Sequence, residues 1–391
     1  MPVEKEKWFS RLALLGTAAA FCLIMLGAFV RLSDAGLGCP DWPVCYGHLA
    51  WPTEDAHIEQ ANEMFPERPV EVEKAWKEQV HRFLAAALGM LVFALALMAN
   101  WRAARQRNLL LAAAAAAAAG IVTYVKGWIP VASVLSVFSI LLPLYGALAW
   151  RGAGWRGRYT AGLLALIIIQ AMLGMWTVTL LVKPIIVTAH LLGGMATFAL
   201  LWLLWLRDRG KPKVNRDDRH RGLRRLSKAA LCVVVLQIFL GGWTSTNYAA
   251  LACPDFPKCQ TQWVPPMDFA EGFDLWRGLG VDYEGGVLGN DARVAVHYTH
   301  RLGALLVLLV VGSLVLAVRR RTRNPTDGDD AALRLLGAGT GVFLALQVLL
   351  GISVVKFGLP LWLAVAHNGG AALLLASLTA LGYALAPSKA G

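Results

Sequence analysis

The sequence predicts an all-α polytopic membrane protein, built as two pseudo-symmetric four-helix transmembrane bundles plus an inserted helical hairpin, with about ten spans. Of the 391 residues, 57% are hydrophobic and only 16% are charged, whereas a soluble domain carries about 25% charged residues. Apolar runs long enough to cross a bilayer as a helix recur along the chain, and they exclude the short alternating segments of a β-barrel. Motifs that occur in one half of the chain return in the other.

Ten apolar runs define the predicted helices. The first run is too long for a signal peptide and lacks a small-residue cleavage site, so we expect it to remain as an uncleaved span. The third run is built on eight consecutive alanines, which favour a helix but add little lipid affinity. In chain order the predicted spans are 11–32, 80–100, 109–125, 131–150, 160–182, 185–206, 228–247, 296–318, 332–354 and 360–385.

The loops between these spans alternate in charge. The side that holds both termini collects 25 of the 37 Lys and Arg residues but only 8 of the 25 Asp and Glu residues. By the positive-inside rule this side is cytoplasmic, which places the long segments 33–79 and 248–295 outside. The net charge of +12 is therefore explained by basic residues in the cytoplasmic loops. We expect the protein to be surrounded by lipid and to have no nucleic-acid partner.

An internal repeat divides the chain into two halves. The interval between the paired histidines is longer in the first half than in the second, by the inserted hairpin 109–150. The sequence thus predicts a first domain at 1–227 and a second at 228–391. The matching motifs are Cys39-Pro-Asp-Trp-Pro-Val-Cys45 with Cys253-Pro-Asp-Phe-Pro-Lys-Cys259, His81-Arg82 with His300-Arg301, and His190 with His367.

Four histidines lie at shallow, matching depths near the predicted outer ends of their spans: His81 and His190 in the first half, His300 and His367 in the second. Two imidazoles on parallel helices can hold a flat macrocycle from both faces, so we interpret each pair as the ligands of a haem iron. A hydrogen bond between helices is the alternative for a single intramembrane histidine. Zinc would need more donors than two imidazoles.

Each cysteine motif closes a seven-residue loop that contains two prolines. On an oxidising outer face these pairs predict the disulfides Cys39–Cys45 and Cys253–Cys259. A metal site, and redox exchange for the first pair, are the alternatives. Neither pair belongs to a CxxCH motif, which excludes covalent haem attachment.

Several segments resemble the haem A synthases of the bacterial and mitochondrial cytochrome oxidase assembly type. The resemblance covers nearly the whole chain, except that the usual eight-span pattern lacks the hairpin 109–150. The segments are Arg31-Leu-Ser-Asp-Ala-Gly-Leu-Gly-Cys-Pro-Asp-Trp-Pro-Val-Cys45, Glu78-Gln-Val-His-Arg82, Val187-Thr-Ala-His-Leu-Leu-Gly-Gly194, Leu240-Gly-Gly-Trp-Thr-Ser-Thr-Asn-Tyr-Ala-Ala-Leu-Ala-Cys-Pro-Asp-Phe-Pro-Lys-Cys259 and His297-Tyr-Thr-His-Arg301.

The resemblance implies a two-step oxidation of the C8 methyl group of haem O, through an alcohol and a hydrated aldehyde, to the formyl group of haem A. It implies a haem B cofactor in one bundle and the haem O substrate in the other. It also implies a bacterial inner (plasma) membrane as the location, with both termini cytoplasmic, and a haem O synthase and an electron donor as partners.

The two halves differ three residues before the His-Arg pair, where the first half has Glu78 and the second has His297. This spacing places the residue on the same helix face as the ligand. A carboxylate beside a methyl group under oxidation can take up a proton or stabilise developing charge. We therefore assign haem O to His81 and His190 with Glu78 as the catalytic group, and haem B to His300 and His367.

Some alternatives remain open at these positions. Glu78 could serve only as a helix cap or as the partner of Arg82, and His297 is a possible competing ligand. Arg82 and Arg301 are candidates to bind haem propionates, or they are ordinary interfacial anchors.

The rival function is a di-haem membrane cytochrome b in quinol electron transfer, which would share the four histidines. A haem O synthase would need paired aspartate-rich motifs, which the single pair Asp217-Asp218 does not supply.

Overall fold

The computed structural model describes residues 2–149, 152–210, 220–323 and 328–386. In this part of the chain the regular structure is α-helical, as the sequence predicts. The helices are α1 (Pro2–Leu32), α2 (Asp55–Met64), α3 (Val72–Asn100), α4 (Ala104–Val125), α5 (Ile129–Leu148), α6 (Trp155–Thr179), α7 (Pro184–Asp208), α8 (Arg221–Thr246), α9 (Phe269–Gly272), α10 (Asn290–Arg321), α11 (Gly328–Lys356) and α12 (Leu361–Ala384).

Within the described ranges, ten of these helices are long and apolar enough to cross a membrane, and each predicted span falls on one of them. The prediction of a polytopic all-α membrane protein with ten spans is confirmed. Several helices begin earlier than their apolar runs, among them α3 at Val72 and α10 at Asn290. A helix continues wherever its backbone hydrogen bonds can form, whether or not its side chains are apolar. Glu78 lies on α3 and His297 on α10, as the spacing of three before the His-Arg pair requires.

The chain divides into two compact units. The first contains Met1–Val182 and Ala196–Leu204, and the second contains Lys183–Met195 and Trp205–Gly391. In the first unit α3 packs against α1 and α6, while α4 and α5 pack on each other as the predicted hairpin and α5 also contacts α6. In the second unit α10 packs on α8 and α11, and α12 packs on α11 and α8. Since α7 contributes to both units, the boundary between residues 227 and 228 stays a prediction.

Each of the two cysteine loops contains an aspartate that fixes its backbone. Both carboxylate oxygens of Asp41 accept hydrogen bonds, from the backbone N–H of Tyr46 at 2.6 Å and of Gly47 at 2.7 Å. Asp255 accepts in the same way from Gln260 at 2.6 Å and Thr261 at 2.9 Å. Desolvation acts to raise the pKa of the Asp255 carboxyl, but these N–H groups stabilise its charged form and the net shift is downward. Each aspartate therefore holds a preformed turn at the end of a cysteine loop.

Candidate functional site

His81 lies on α3 directly opposite a glycine of α1. A Cβ atom built on Gly27 would stand only 3.1 Å from Cε1 of His81, which is closer than ordinary van der Waals contact. The glycine thus gives the imidazole room at this helix crossing.

Next to His81, the side chains of Glu78 and Arg82 hold the first cysteine loop on α3. The carboxylate of Glu78 accepts a hydrogen bond from the backbone N–H of Cys39 at 3.0 Å and pairs with Arg82. The Arg82 guanidinium also donates to the carbonyl oxygens of Asp41 at 2.8 Å and Val44 at 2.7 Å. Two adjacent turns of one helix therefore fix the loop from both its N–H and its carbonyl groups.

This arrangement contains the ion pair that the sequence left open as an alternative for Glu78. The residue is 5% exposed, so its carboxylate is nearly withdrawn from water and meets an N–H on one oxygen and a guanidinium on the other. Its catalytic role stays a prediction. Arg82 uses its guanidinium to bind loop carbonyls, and its role toward a propionate also stays a prediction.

His190 lies on the part of α7 that belongs to the second unit, so its pairing with His81 stays a prediction. Two local contacts fix this turn of α7 against α8. Thr188 Oγ1 lies 3.3 Å from Thr246 Oγ1, and a Cβ on Gly242 would lie 2.9 Å from the Leu191 side chain. The backbone on both sides of His190 is therefore closely packed.

The second unit brings His300 of α10 and His367 of α12 together. Their ring centroids are 6.5 Å apart and the ring planes are inclined at 88°. A metal ion held between two imidazoles, with metal–nitrogen bonds of about 2 Å each and roughly 1 Å from each nitrogen to its ring centre, would need ring centres about 6 Å apart. The spacing of the two rings would therefore leave room for His300 and His367 to hold one metal ion, such as a haem iron, between them.

Glycines on neighbouring helices also make room for these two rings. A Cβ on Gly241 of α8 would stand 3.1 Å from Cε1 of His300, and one on Gly351 of α11 would stand 3.0 Å from Cε1 of His367. No sequence pattern assigned a role to Gly27, Gly241 or Gly351. Their contact with the histidine rings became visible only in the structure.

Two glutamines adjoin the same rings, and the sequence assigned them no role. Gln237 Nε2 lies 3.0 Å from Nδ1 of His300 and donates to the His300 carbonyl at 2.9 Å. Gln347 Nε2 lies 3.5 Å from Nε2 of His367. Gln347 and Gly351 have the same spacing as Gln170 and Gly174 in the first half, which was the one available signal for Gln347. Nothing in the sequence pointed to Gln237.

His297 is not placed as a competing ligand. Its ring is 3% exposed and lies between the backbone N–H of Cys253, at 3.3 Å, and Nε of Arg301, at 3.2 Å. Arg301 also donates to the carbonyl oxygens of Cys253 at 2.6 Å and Lys258 at 2.8 Å. His297 and Arg301 thus hold the second cysteine loop, as Glu78 and Arg82 hold the first, and the propionate role of Arg301 stays a prediction.

The cysteines of each loop are bonded to each other in the structure. The Cα atoms are 4.8 Å apart in Cys39–Cys45 and 4.6 Å apart in Cys253–Cys259, within the usual range for a disulfide. All four cysteines are buried. Each disulfide therefore closes a loop whose turn and whose contact with the helix are separately fixed.

Lys183 is a further residue that the sequence did not single out. It precedes α7, is 2% exposed, and donates through Nζ to the carbonyl oxygens of Arg277 and Gly278. The same ammonium group lies 3.8 Å from the centre of the Trp276 ring, a cation–π distance. Lys183 therefore fastens the second long loop to the beginning of the helix that carries His190.

Comparisons with known proteins give a consistent result. A family model described as "Cytochrome oxidase assembly protein" matches residues 10–150 and 136–379. A relative from Shewanella oneidensis named "Heme A synthase" is 39% identical over 97% of this chain and 96% of its own. Proteins of the same name are 26% identical in Caulobacter vibrioides, over 94% and 92%, and 23% identical in Halalkalibacterium halodurans, over 94% of both chains.

Proposed function

The chain belongs to the family of cytochrome oxidase assembly proteins, and on this premise we propose that it is a haem A synthase, an oxidoreductase that converts haem O to haem A in a membrane. The observation that carries the proposal is the likeness to proteins of that name over nearly the whole chain. Since those relatives are bacterial, we place the protein in the bacterial inner membrane, with its termini in the cytoplasm as the loop charges favour.

The reaction converts a methyl group to a formyl group, which removes electrons and protons from one carbon and adds an oxygen. For this reaction the protein must bind two porphyrins through histidines, orient them, and provide a group that can hold a proton near the reacting carbon. This chemistry requires an oxidant that takes up the electrons. We propose a haem O synthase, which supplies the substrate, and an electron donor as the partners of the protein.

The test is to produce the protein in cells that make haem O and to identify the extracted pigments by mass. We expect haem A or its alcohol precursor, and neither in cells that carry an inactive His81→Ala variant. Cells that contain only haem B and haem O, alongside a purified protein that quinol reduces, would favour the di-haem cytochrome b instead.

We also propose that haem B is the resident cofactor and that His300 and His367 hold it. Their ring spacing would leave room for one metal ion between them, and both rings pack against glycines of neighbouring helices. A haem with two imidazole ligands supplies one-electron transfer. The surrounding residues hold both rings in place.

Purified His300→Ala and His367→Ala variants should lose the low-spin haem B spectrum. His297→Ala is the matched control, because it removes a buried histidine one turn away that contacts Arg301 and the cysteine loop, and it should keep the haem. Unchanged haem B content in both ligand variants would refute the assignment.

For the first half we propose that His81 and His190 bind haem O and that Glu78 is the catalytic group beside it. The carboxylate is nearly buried, and its neighbour Arg82 can balance its charge when it gives up or takes up a proton. Arg82 and Arg301 directly follow His81 and His300 on their helices and are the proposed partners of the propionates. The domains 1–227 and 228–391 would then bind substrate and cofactor, respectively.

A further inference from the structure

The second long loop, 248–295, contains a short stretch of exposed apolar side chains. Leu275, Trp276, Leu279 and Val281 are all exposed, Trp276 at 61% and Leu279 at 71%. We name residues 275–281 the apolar segment. Neighbouring apolar side chains that face away from the protein mark a contact with a membrane, a protein or a ligand.

The first contact that fixes the level of the apolar segment is Lys183, the residue directly before the membrane-spanning helix α7. Its ammonium group donates to the carbonyl oxygens of Arg277 and Gly278 and lies 3.8 Å from the centre of the Trp276 ring. The residue is buried, and a buried charge is costly without such partners. These contacts therefore hold the apolar segment at the point where α7 begins.

A second contact ties the same loop to α8. The indole N–H of Trp243 donates to the carbonyl oxygen of Gly272 at 2.8 Å, and Trp243 lies in the last turn of α8, which ends at Thr246. Since α7 and α8 are consecutive spans, the start of α7 and the end of α8 lie on the same side of the membrane. The loop is thus fixed at the level where two spans leave the bilayer.

The charges of the loop exclude an attraction to anionic lipid as the reason for a membrane contact. Arg277 is the one charged residue of the apolar segment, and its guanidinium donates to the Glu271 carbonyl and lies 3.9 Å from the Glu271 carboxylate. Exposed aspartates, Asp274 and Asp282, stand at the two ends of the segment. Any contact with lipid must therefore be made by the apolar side chains.

The first long loop has no such surface at its helix. Helix α2 in that loop exposes three carboxylates, those of Asp55, Glu59 and Glu63. The two loops resemble each other at their cysteine motifs but differ here. The exposed apolar side chains are consequently a property of the second loop and not of the repeat.

We propose that the apolar segment is an interfacial anchor, which inserts Trp276 and its apolar neighbours into the headgroup region of the bilayer on the side opposite the termini. Tryptophan is enriched at this level of membrane proteins, and apolar side chains of interfacial segments enter the lipid by about 5–10 Å. Two carbonyls of the segment already accept from Lys183, which leaves fewer backbone groups that need water. This membrane contact does not depend on which haem either half of the protein binds.

The test is photo-crosslinking of the full-length protein in isolated bacterial membranes. Leu275→Cys and Leu279→Cys are each made in a Cys22→Ser, Cys232→Ser background, because the other four cysteines form disulfides. Each new thiol is coupled to a benzophenone maleimide, and the products of irradiation are identified by mass.

Two exposed positions calibrate the measurement with the same probe. Leu309→Cys lies in the middle of the span α10, where its side chain is 59% exposed, and it should give phospholipid adducts. Glu59→Cys lies on the polar helix α2, and it should give none. The comparison with Glu59→Cys shows whether the apolar probe by itself draws a loop into lipid.

We expect phospholipid adducts at Leu275→Cys and Leu279→Cys in several-fold higher yield than at Glu59→Cys. The yield should persist at high salt, because screening weakens contacts between charges and not apolar insertion. Adducts to a protein, whether a second copy of this chain or another, would overturn the inference in favour of a docking surface. Absence of lipid adducts at both positions, with adducts at Leu309→Cys, would overturn it in favour of a loop in water.

Discussion

At the scale of single residues, Glu78 combines two tasks that a near-isosteric substitution can separate. Its carboxylate accepts from Cys39 and balances Arg82. In Glu78→Gln the amide oxygen can still accept the Cys39 N–H, but the negative charge is lost. We expect the variant to fold and keep haem B while haem O accumulates and haem A formation stops, as measured by pigment masses.

The control for Glu78→Gln is Glu73→Gln, since Glu73 lies on the same helix but is exposed. This change should leave haem A formation unaffected. Full activity in Glu78→Gln would make the carboxylate structural and would remove the reason for assigning the substrate to the N-terminal half.

A substitution at Gly241 tests whether the His300 ring needs the space that this glycine leaves. A leucine there would collide with the His300 ring, which a Cβ alone already approaches at 3.1 Å, and overpacking of this kind costs about 1–3 kcal/mol. We expect Gly241→Leu to reduce haem B content about tenfold or more. On α10 a Cβ at Gly312 meets nothing within 4 Å, so Gly312→Leu should retain the haem; equal retention by both variants would contradict the clearance role.

At the scale of elements, the two cysteine loops rest on helices α3 and α10 through the same kind of contact. The arginine that directly follows His81 or His300 donates to loop carbonyls, and the residue three positions before that histidine accepts a hydrogen bond from a loop N–H. The aspartate turns and the disulfides fix the loops internally. The histidine-bearing turn of each helix is thus held to its cysteine loop by side chains on both sides of the histidine.

The arginine contact predicts that Arg82→Lys loosens the first loop. An ammonium cannot reproduce the fork that reaches both Asp41 and Val44 as well as Glu78, and lost charged hydrogen bonds cost about 1.5–3 kcal/mol. We expect a mild thiol to reduce Cys39–Cys45 faster in this variant than in the wild type. Mass mapping of labelled peptides measures the rate.

The control is Arg31→Lys, since Arg31 pairs with the exposed side chain of Asp34 at the end of α1. It should leave the reduction rate of Cys39–Cys45 at the wild-type value. Equal rates in Arg82→Lys and the wild type would show that the disulfide loop does not depend on this arginine.

At the scale of the whole molecule, ten spans and the loop charges together predict the orientation in the membrane. Reporter fusions at the C-terminus should be active in the cytoplasm, and fusions at Gly127, between α4 and α5, should be active outside. A fluorescent protein that folds only in the cytoplasm and a phosphatase that folds only outside measure the two cases. A C-terminal fusion that is active only as a phosphatase would contradict the predicted orientation.

The membrane helices followed from the sequence because spanning a bilayer is a local property of about 20 consecutive residues. The histidines, the cysteine motifs and the hairpin followed from the repeat, which preserves spacing along the chain. The early starts of α3 and α10, and the loop helix α2, were not predicted, because polar side chains carry no apolar signal there. The ion pair of Glu78 with Arg82 could be predicted from the sequence, because residues four apart on a helix are neighbours.

What the sequence determined by itself is the class of protein, its spans and the candidate residues of the site, since each is encoded in composition or in repeated short motifs. The tertiary structure alone decided which groups meet across helices. Gln237 contacts a histidine 63 positions away, and Arg301 binds the carbonyl of Cys253 on another segment. Such contacts depend on how helices pack and rotate, and packing is fixed by the fit of whole surfaces, which no short stretch of sequence records.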